Sequence, residues 1–365
     1  MTPLEEEFRR RIALDGPITL GDYMTGCLSH PKYGYYMTRD PFGRGGDFTT
    51  APEISQMFGE LIGLWCAEMW RLMECPPTIH LVEMGPGRGT LMLDMLRAAR
   101  RLPNFMDAVQ VHLVEMSPVL SGLQRKTLGQ SPVSVTWHDH IADIPEDGPV
   151  LFVANEFFDA LPVRQVERTA EGWRERIVVI DPDTDQLAIT CGWGASELEP
   201  MIDPELRGRA DVGRVIELSP VSWRIAAEVG QRIASHGGAG LFIDYGYEGP
   251  ATGDTVQAVR RHEPCGIFDD PGEADLTAHV DFTQLAQVFR DAGCAPAPLA
   301  GQGPFLQALG IDYRTNVLVE AAPHMETELR SGRDRLINAD AMGKLFKVLG
   351  VKSAGLPALP GLETE

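Results

Sequence analysis

Residues 79–90 read IHLVEMGPGRGT and run directly into LMLDMLRAAR. The apolar run before Gly85 predicts a buried strand and the glycines a turn. From Thr90 a helix is expected, whose first N–H groups lack intrahelical partners and point at whatever binds there. A nucleotide-like ligand suits that arrangement. Glycine recurs at alternate positions in Glu83-x-Gly85-x-Gly87-x-Gly89, with Pro86 and Arg88 between, whereas the dinucleotide fingerprint needs glycine at the place held by Thr90. Thr90 and Glu83 favour S-adenosyl-L-methionine over NAD. The sulfonium cofactor carries an ammonium group that an acid tolerates, and it has no pyrophosphate for that acid to repel.

Outward from this turn the chain alternates strands and helices. Val109 to Glu115 reads as a second strand ending in an acid, Ser117 to about Leu128 as a helix, Pro132 to Trp137 as a third strand and Pro149 to Ala154 as a fourth. Such alternation implies right-handed βαβ units and a parallel sheet. Between Val163 and Thr190, RQVERT, RERIVVI and QLAIT are separated by turn signals, as in antiparallel strands. A helix at Pro220 to Ser235 and a strand at Gly240 to Tyr245 resume the sheet. A helix from His279 to Ala292 and strands at Ala297 to Leu299 and beyond Leu309 come next. Before the turn, helices are expected at Pro3 to Ala13, Thr19 to Leu28 and Glu53 to Met73, the last with Ile54, Phe58, Leu61, Ile62, Trp65 and Met69 at helical spacing. Ser29 to Thr50, rich in Gly, Pro, Asp and aromatics, reads as a long ordered loop. The fold class is thus α/β, a Rossmann-like sheet with an N-terminal helical and loop extension and a β-rich insertion after the fourth strand. The expected divisions are 1–77 for the helical and lid region, 78–162 and 220–352 for the two halves of the sheet domain, 163–219 for the insertion, and 353–365 for an irregular tail.

Composition narrows the function classes. At 365 residues with 44% hydrophobic and 23% charged content, the chain can bury a large core. Six scattered cysteines with no C-x-x-C pair, and no H-E-x-x-H, indicate neither a disulfide framework nor a metal site. A net charge of −20 opposes a nucleic-acid partner and favours a cationic substrate. No run of eighteen apolar residues suggests a membrane span, and the polar start MTPLEEEFRRRI reads as neither signal nor transit peptide. A cytoplasmic location is expected, with the mitochondrial matrix only if an N-terminal segment is missing. The oligomeric state is not readable.

In an open parallel sheet, ligands bind beyond the carboxyl ends of the strands. Gly85 to Gly89, Glu115 with Met116, His138-Asp139-His140 and Asn155-Glu156 all fall there. Glu115 is placed to accept both ribose hydroxyls, as an acid in an NAD enzyme also does. Asp139 is a candidate for the adenine amino group. His138 and His140 have no metal-ligand companions and read as surface residues.

ITLGDYM, HPKYGYYMTRDPFGRGGDFTTAPEISQMFGE, VEMGPGRGT, LVEMSP, ANEFFDALPV and LTAHVDF together resemble the MidA family of class I methyltransferases, which includes the mitochondrial complex I assembly arginine methyltransferase. The resemblance runs from about Ile18 to Val351. It implies a Rossmann-like class I methyltransferase fold, S-adenosyl-L-methionine as donor and, for the eukaryotic members, methylation of an arginine in a respiratory-complex subunit. A methyltransferase acting on arginine must hold a planar guanidinium in line with the sulfonium methyl, which carboxylates do by bidentate pairing. Glu156 is the expected clamp and Asp159 its helper, both after the fourth strand. Asp47, Phe48 and Thr50 are expected to close over the cofactor, with Tyr33, Tyr35 and Tyr36 shaping the acceptor channel. Tyr245 and Tyr247, with Asp244, and His279 with Asp281 are further pocket candidates. Two alternatives stay open at this point, a small-molecule methyltransferase and a non-catalytic assembly chaperone that binds the cofactor.

Overall fold

The computed structural model describes residues 1–41, 43 and 47–363. It divides into two compact units. One comprises Met1–Phe48, Phe158–Arg224 and Glu248–Thr283, the other Thr49–Phe157, Ile225–Tyr247 and Gln284–Glu365.

The second unit holds the sheet that the glycine turn anticipates. Its strands are Ile79–Met84 (β1), Val109–Val114 (β2), Val135–His138 (β3), Val150–Asn155 (β4), Gly238–Tyr247 (β5) and Phe346–Lys352 (β6), ordered β6-β5-β4-β1-β2-β3. Neighbours run parallel except β5 with β6. Every residue of β1 and β4 is buried, as expected of central parallel strands covered on both faces. Helices Gln56–Leu72 (α1) and Thr90–Ala99 (α2) pack together on this sheet's core, with Phe58, Trp65, Leu81, Val111, Leu151 and Leu241 in one apolar cluster. Their close approach needs Gly63, where a Cβ would lie 2.5 Å from the Met95 carbonyl oxygen.

Two expectations are corrected here. The helix expected from Glu53 to Met73 is two helices, Ala51–Ile54 and α1, because Ser55 takes extended backbone at φ −158 and caps α1 through its hydroxyl. Beyond Leu309 the chain forms helices Ile311–Ala321 and Glu326–Ile337 before reaching β6, while short strands at Ala295–Pro296 and Ala300–Gly301 flank the expected Ala297 to Leu299. The tail from 353 to 363 forms neither helix nor strand, as expected, and it is packed. Leu359 and Leu362 join the core, and the Pro360 carbonyl accepts the Trp65 indole N–H at 3.2 Å.

The first unit is built on antiparallel pairing. Ile18–Thr19, Arg164–Thr169, Gly172–Ile180, Leu187–Cys191 and Val215–Leu218 form a five-stranded sheet, and Gln257–Arg260, Glu263–Cys265 and Asp275–Thr277 a three-stranded one. Helices Pro3–Asp15 and Leu20–Ser29 pack Leu4, Phe8 and Tyr23 into a core with Val178 and Leu276. Thr19 and Asp22 close a reciprocal capping box at the start of the second helix. The departure at 248–283 leaves no mark in the sequence alternation, and His279 precedes the helix Phe282–Asp291 in place of starting it.

Candidate active site

Strand register gathers the expected cofactor residues. Met84 pairs with Val114 and Ala154, Val114 with His138, and Asn155 with Ile243. Gly85, Glu115, Asp139 and Glu156 therefore leave the sheet at one carboxyl edge of the second unit, beside Asp244 of β5.

Gly85, Gly87 and Gly89 all adopt positive φ, at 62°, 52° and 80°. At Gly85 a side chain is doubly excluded, because a Cβ would also lie 2.8 Å from the Phe157 ring. Gly89 caps α2 without a side chain, and Glu83 does that work from the strand by accepting the Met92 N–H. Burial holds the Glu83 carboxyl well above the usual range, and among the described residues its Oε2 has no hydrogen-bond partner. The Gly89 N–H donates to the Pro86 carbonyl at 2.7 Å. Gln124 ties the edge together, its amide donating to the Gly87 carbonyl at 2.8 Å and to Glu115 Oε2 at 3.0 Å while it accepts the Trp137 indole N–H. The other Glu115 oxygen accepts the Ser117 N–H at 2.7 Å, and burial raises this carboxyl too. Met116 and Asp139 are exposed; Asn155 is buried.

Past β4, Glu156 has φ 50°, an unusual backbone for a residue with a Cβ. Its N–H donates to the Ile243 carbonyl, and its Oε1 accepts from the Ala51 N–H at 3.2 Å and the Asn155 amide at 3.0 Å. The buried Asp244 anchors the backbone on both sides of the edge, accepting the Phe157 and Tyr245 N–H groups. The Tyr245 ring packs edge-on against Phe346.

In the first unit, Asp47 accepts the buried Tyr35 hydroxyl at 2.7 Å and the Arg261 N–H at 2.6 Å. Its backbone carbonyl takes the His262 N–H. Arg261 and His262 are the positive-φ turn between Gln257–Arg260 and Glu263–Cys265, so Asp47 anchors a strained hairpin, a structural duty the sequence does not suggest. Asp159 and Asp275 are both buried, and Tyr36 donates its hydroxyl to Asp275 Oδ1 at 2.8 Å. Burial first, and then both carboxylates, push the Tyr36 phenol far above its ordinary value. The Asp159 carbonyl accepts the Ala278 N–H, the His279 N–H goes to the Thr255 hydroxyl, and burial lowers the His279 pKa. Tyr33 is partly exposed and stacks on His30, and Phe48 packs against the first unit's core. Thr50 belongs to the second unit, where it is buried. Phe42, Arg44, Gly45 and Gly46 of the expected lid lie outside the described residues.

Two features escape a reading of the sequence. Glu53, a helix start by its sequence, accepts the Thr90 hydroxyl. His138, which reads as a surface residue in the sequence, is the end of a row in which Asp147 Oδ1, His80, His112 and His138 are joined at 2.9, 3.0 and 2.9 Å. A histidine in each of the apolar strands IHLVEM and VQVHLV was the available signal. His140 is exposed, as expected. Among the described residues no group of three or more His, Cys, Asp or Glu is placed to hold a metal ion, and no helix is long and apolar enough to cross a membrane.

Residues 61–299 match a family model described as an S-adenosyl-L-methionine-dependent methyltransferase. Xenopus laevis "Protein arginine methyltransferase NDUFAF7, mitochondrial" is 39% identical over 368 residues, 93% of this chain and 82% of that protein. The Homo sapiens protein of the same name is 36% identical over 371 residues, 95% of this chain and 82% of its own. A crystal structure of "a COG1565 superfamily member and likely methyl transferase from Burkholderia thailandensis bound to S-adenosyl-homocysteine" superposes with a TM-score of 0.86 at 29% identity, covering 98% of this chain and 94% of that one. The Xenopus laevis and Homo sapiens relatives overturn the expectation of a cytoplasmic location, since their names call them mitochondrial. Sequence family, long relatives and solved fold agree on one assignment: the chain belongs to the MidA family of S-adenosyl-L-methionine-dependent methyltransferases.

Proposed function

We propose that this protein transfers a methyl group from S-adenosyl-L-methionine to an arginine side chain of a protein of the respiratory-complex type. The observation that carries the reading is the match, over more than nine-tenths of the chain, to relatives named protein arginine methyltransferase. The donor supplies an electrophilic methyl on a sulfonium centre. Its fit to this chain is supported at the glycine edge, where the buried Glu83 Oε2 suits an ammonium group and the positive-φ glycines allow close backbone approach. Glu115, already oriented by Ser117 and Gln124, suits two vicinal hydroxyls, and Asp139 the adenine amino group. Pro86, Arg88, Met116 and Asn155 complete the cofactor set.

For the acceptor, Glu156 is the guanidinium clamp, held at the end of β4 by Ala51 and Asn155. Asp159 is the second candidate acid, buried in the first unit with Tyr36 and Asp275. Arginine titrates above about 12, so the acids work by orienting the planar fork and compensating its charge beside a cationic donor, with proton loss following transfer. In the first unit Tyr33, Tyr35, Phe48 and His279 are candidates for shaping access, with Asp47 supporting Tyr35, and in the second unit Thr50 and Tyr245 are candidates. The net charge of −20 suits a cationic acceptor and not a nucleic acid. The test compares methylarginine in respiratory subunits, by mass spectrometry, from cells with the protein and cells without it. The reading requires at least one site to lose methylation, and an unchanged methylarginine profile contradicts it.

A further inference from the structure

A four-residue helix has too little internal bonding to hold its own position, so the placement of Ala51–Ile54 is set by what it grips. Its capping residue Thr50 makes no side-chain cap, and the Ala51 N–H goes to Glu156 Oε1 at 3.2 Å. Ala51 and Pro52 are buried, and extended backbone at Ser55 ends the helix. Glu53 then projects to the glycine turn. Its Oε1 accepts the Thr90 hydroxyl at 2.5 Å and its Oε2 lies 3.7 Å from the Arg88 guanidinium. One carboxylate thus holds the residues on both sides of Gly89.

We propose that Glu53 is a positioning residue for the cofactor turn, acting through Thr90 and Arg88. The proposal rests on reading Gly85 to Gly89 as the donor-binding turn. Three positive-φ glycines give the backbone its approach to a ligand but leave it conformationally free, so an unclamped turn must be ordered at the moment of binding. A hydroxyl donating to a carboxylate is a charge-assisted bond suited to that clamping. It also accounts for threonine at the place where the dinucleotide fingerprint has glycine.

Calorimetry with S-adenosyl-homocysteine on the full chain tests this. Thr90→Val should bind about ten-fold more weakly and Glu53→Ala, which also loses the Arg88 contact, at least as weakly, and the double variant should bind no more weakly than Glu53→Ala, because the Thr90 bond is already gone from it. Glu53→Gln keeps an acceptor and Thr90→Ser the hydroxyl, so both should stay within about three-fold of the parent. Parental affinity in folded Glu53→Ala and Thr90→Val, or losses that add in the double variant, would overturn the proposal, even with a lowered thermal midpoint, since a purely structural role moves only the latter. If Glu53→Ala does not fold, Thr90→Val against Thr90→Ser makes the same comparison. Gly87→Val separates the two levels: normal binding by it sinks the reading of the turn, whereas its loss of binding beside an unaffected Thr90→Val sinks the clamp alone.

Discussion

Lowering the pH from 7 to 5 should cost this protein stability through His112. The residue is 3% exposed, and burial first, then the neighbouring His80, His138 and Arg232, lowers its pKa to about 4. An unfolded histidine titrates near 6.5. Between those values the unfolded chain takes up a proton that the folded chain refuses, so stability is full above about 6.5 and is lost as pH falls toward 4. The complete loss is about 3 kcal/mol, of which about 2 kcal/mol falls between pH 7 and 5. The row explains the refusal. A carboxylate can only accept, so Asp147 takes the His80 Nε2–H; His80 Nδ1 then accepts from His112 Nε2, and His112 Nδ1 from His138 Nε2. His80 and His112 have both ring nitrogens bonded while neutral, and an added proton on His112 would break the sequence. Glu83, whose carboxyl is raised, works in the opposite direction, so the comparison needs an internal control. His112→Gln keeps one donor and one acceptor without titrating. Urea denaturation at pH 7 and pH 5 should show the parent losing about 2 kcal/mol more than His112→Gln. Equal losses in the two proteins would refute the reasoning.

Gly85→Ala should abolish S-adenosyl-homocysteine binding in calorimetry while far-ultraviolet circular dichroism keeps its shape, since the methyl meets Phe157 and a backbone at φ 62°. Glu156→Gln preserves acceptors for Ala51 and Asn155 and should lower kcat about a hundred-fold with cofactor affinity within about three-fold, measured by steady-state methylation and calorimetry. Asp47→Ala should lower stability by about 2 kcal/mol in urea, because it orphans the Tyr35 hydroxyl and the Arg261 N–H together. His262→Gly should raise stability by about 1 kcal/mol in the same assay, because residue 262 sits at φ 64°.

Much of the second unit was legible because its strands are short apolar runs bounded by turn residues, and register alone then delivers Gly85, Glu115 and Asn155-Glu156 to one edge. What stayed hidden depended on contacts between distant segments. The Ile54-to-Met69 periodicity continues across Ser55, so it conceals the break that turns Glu53 toward Thr90. His80, His112 and His138 meet only because three parallel strands set them side by side. Leu359 and Leu362 look unremarkable in a Gly/Pro-rich tail, yet Gly350 leaves space that they fill. Asp47 has the residue type of a catalytic acid, and only the hairpin at Arg261 reveals its anchoring duty.

The most direct test of the whole account is acid hydrolysis and amino-acid analysis of protein labelled in vitro with the purified enzyme and methyl-labelled S-adenosyl-L-methionine, using unfolded respiratory subunits as acceptors. The account predicts label in methylated arginine, lost with Gly85→Ala and strongly reduced with Glu156→Gln. Label in another residue, or transfer only to small molecules, would contradict it.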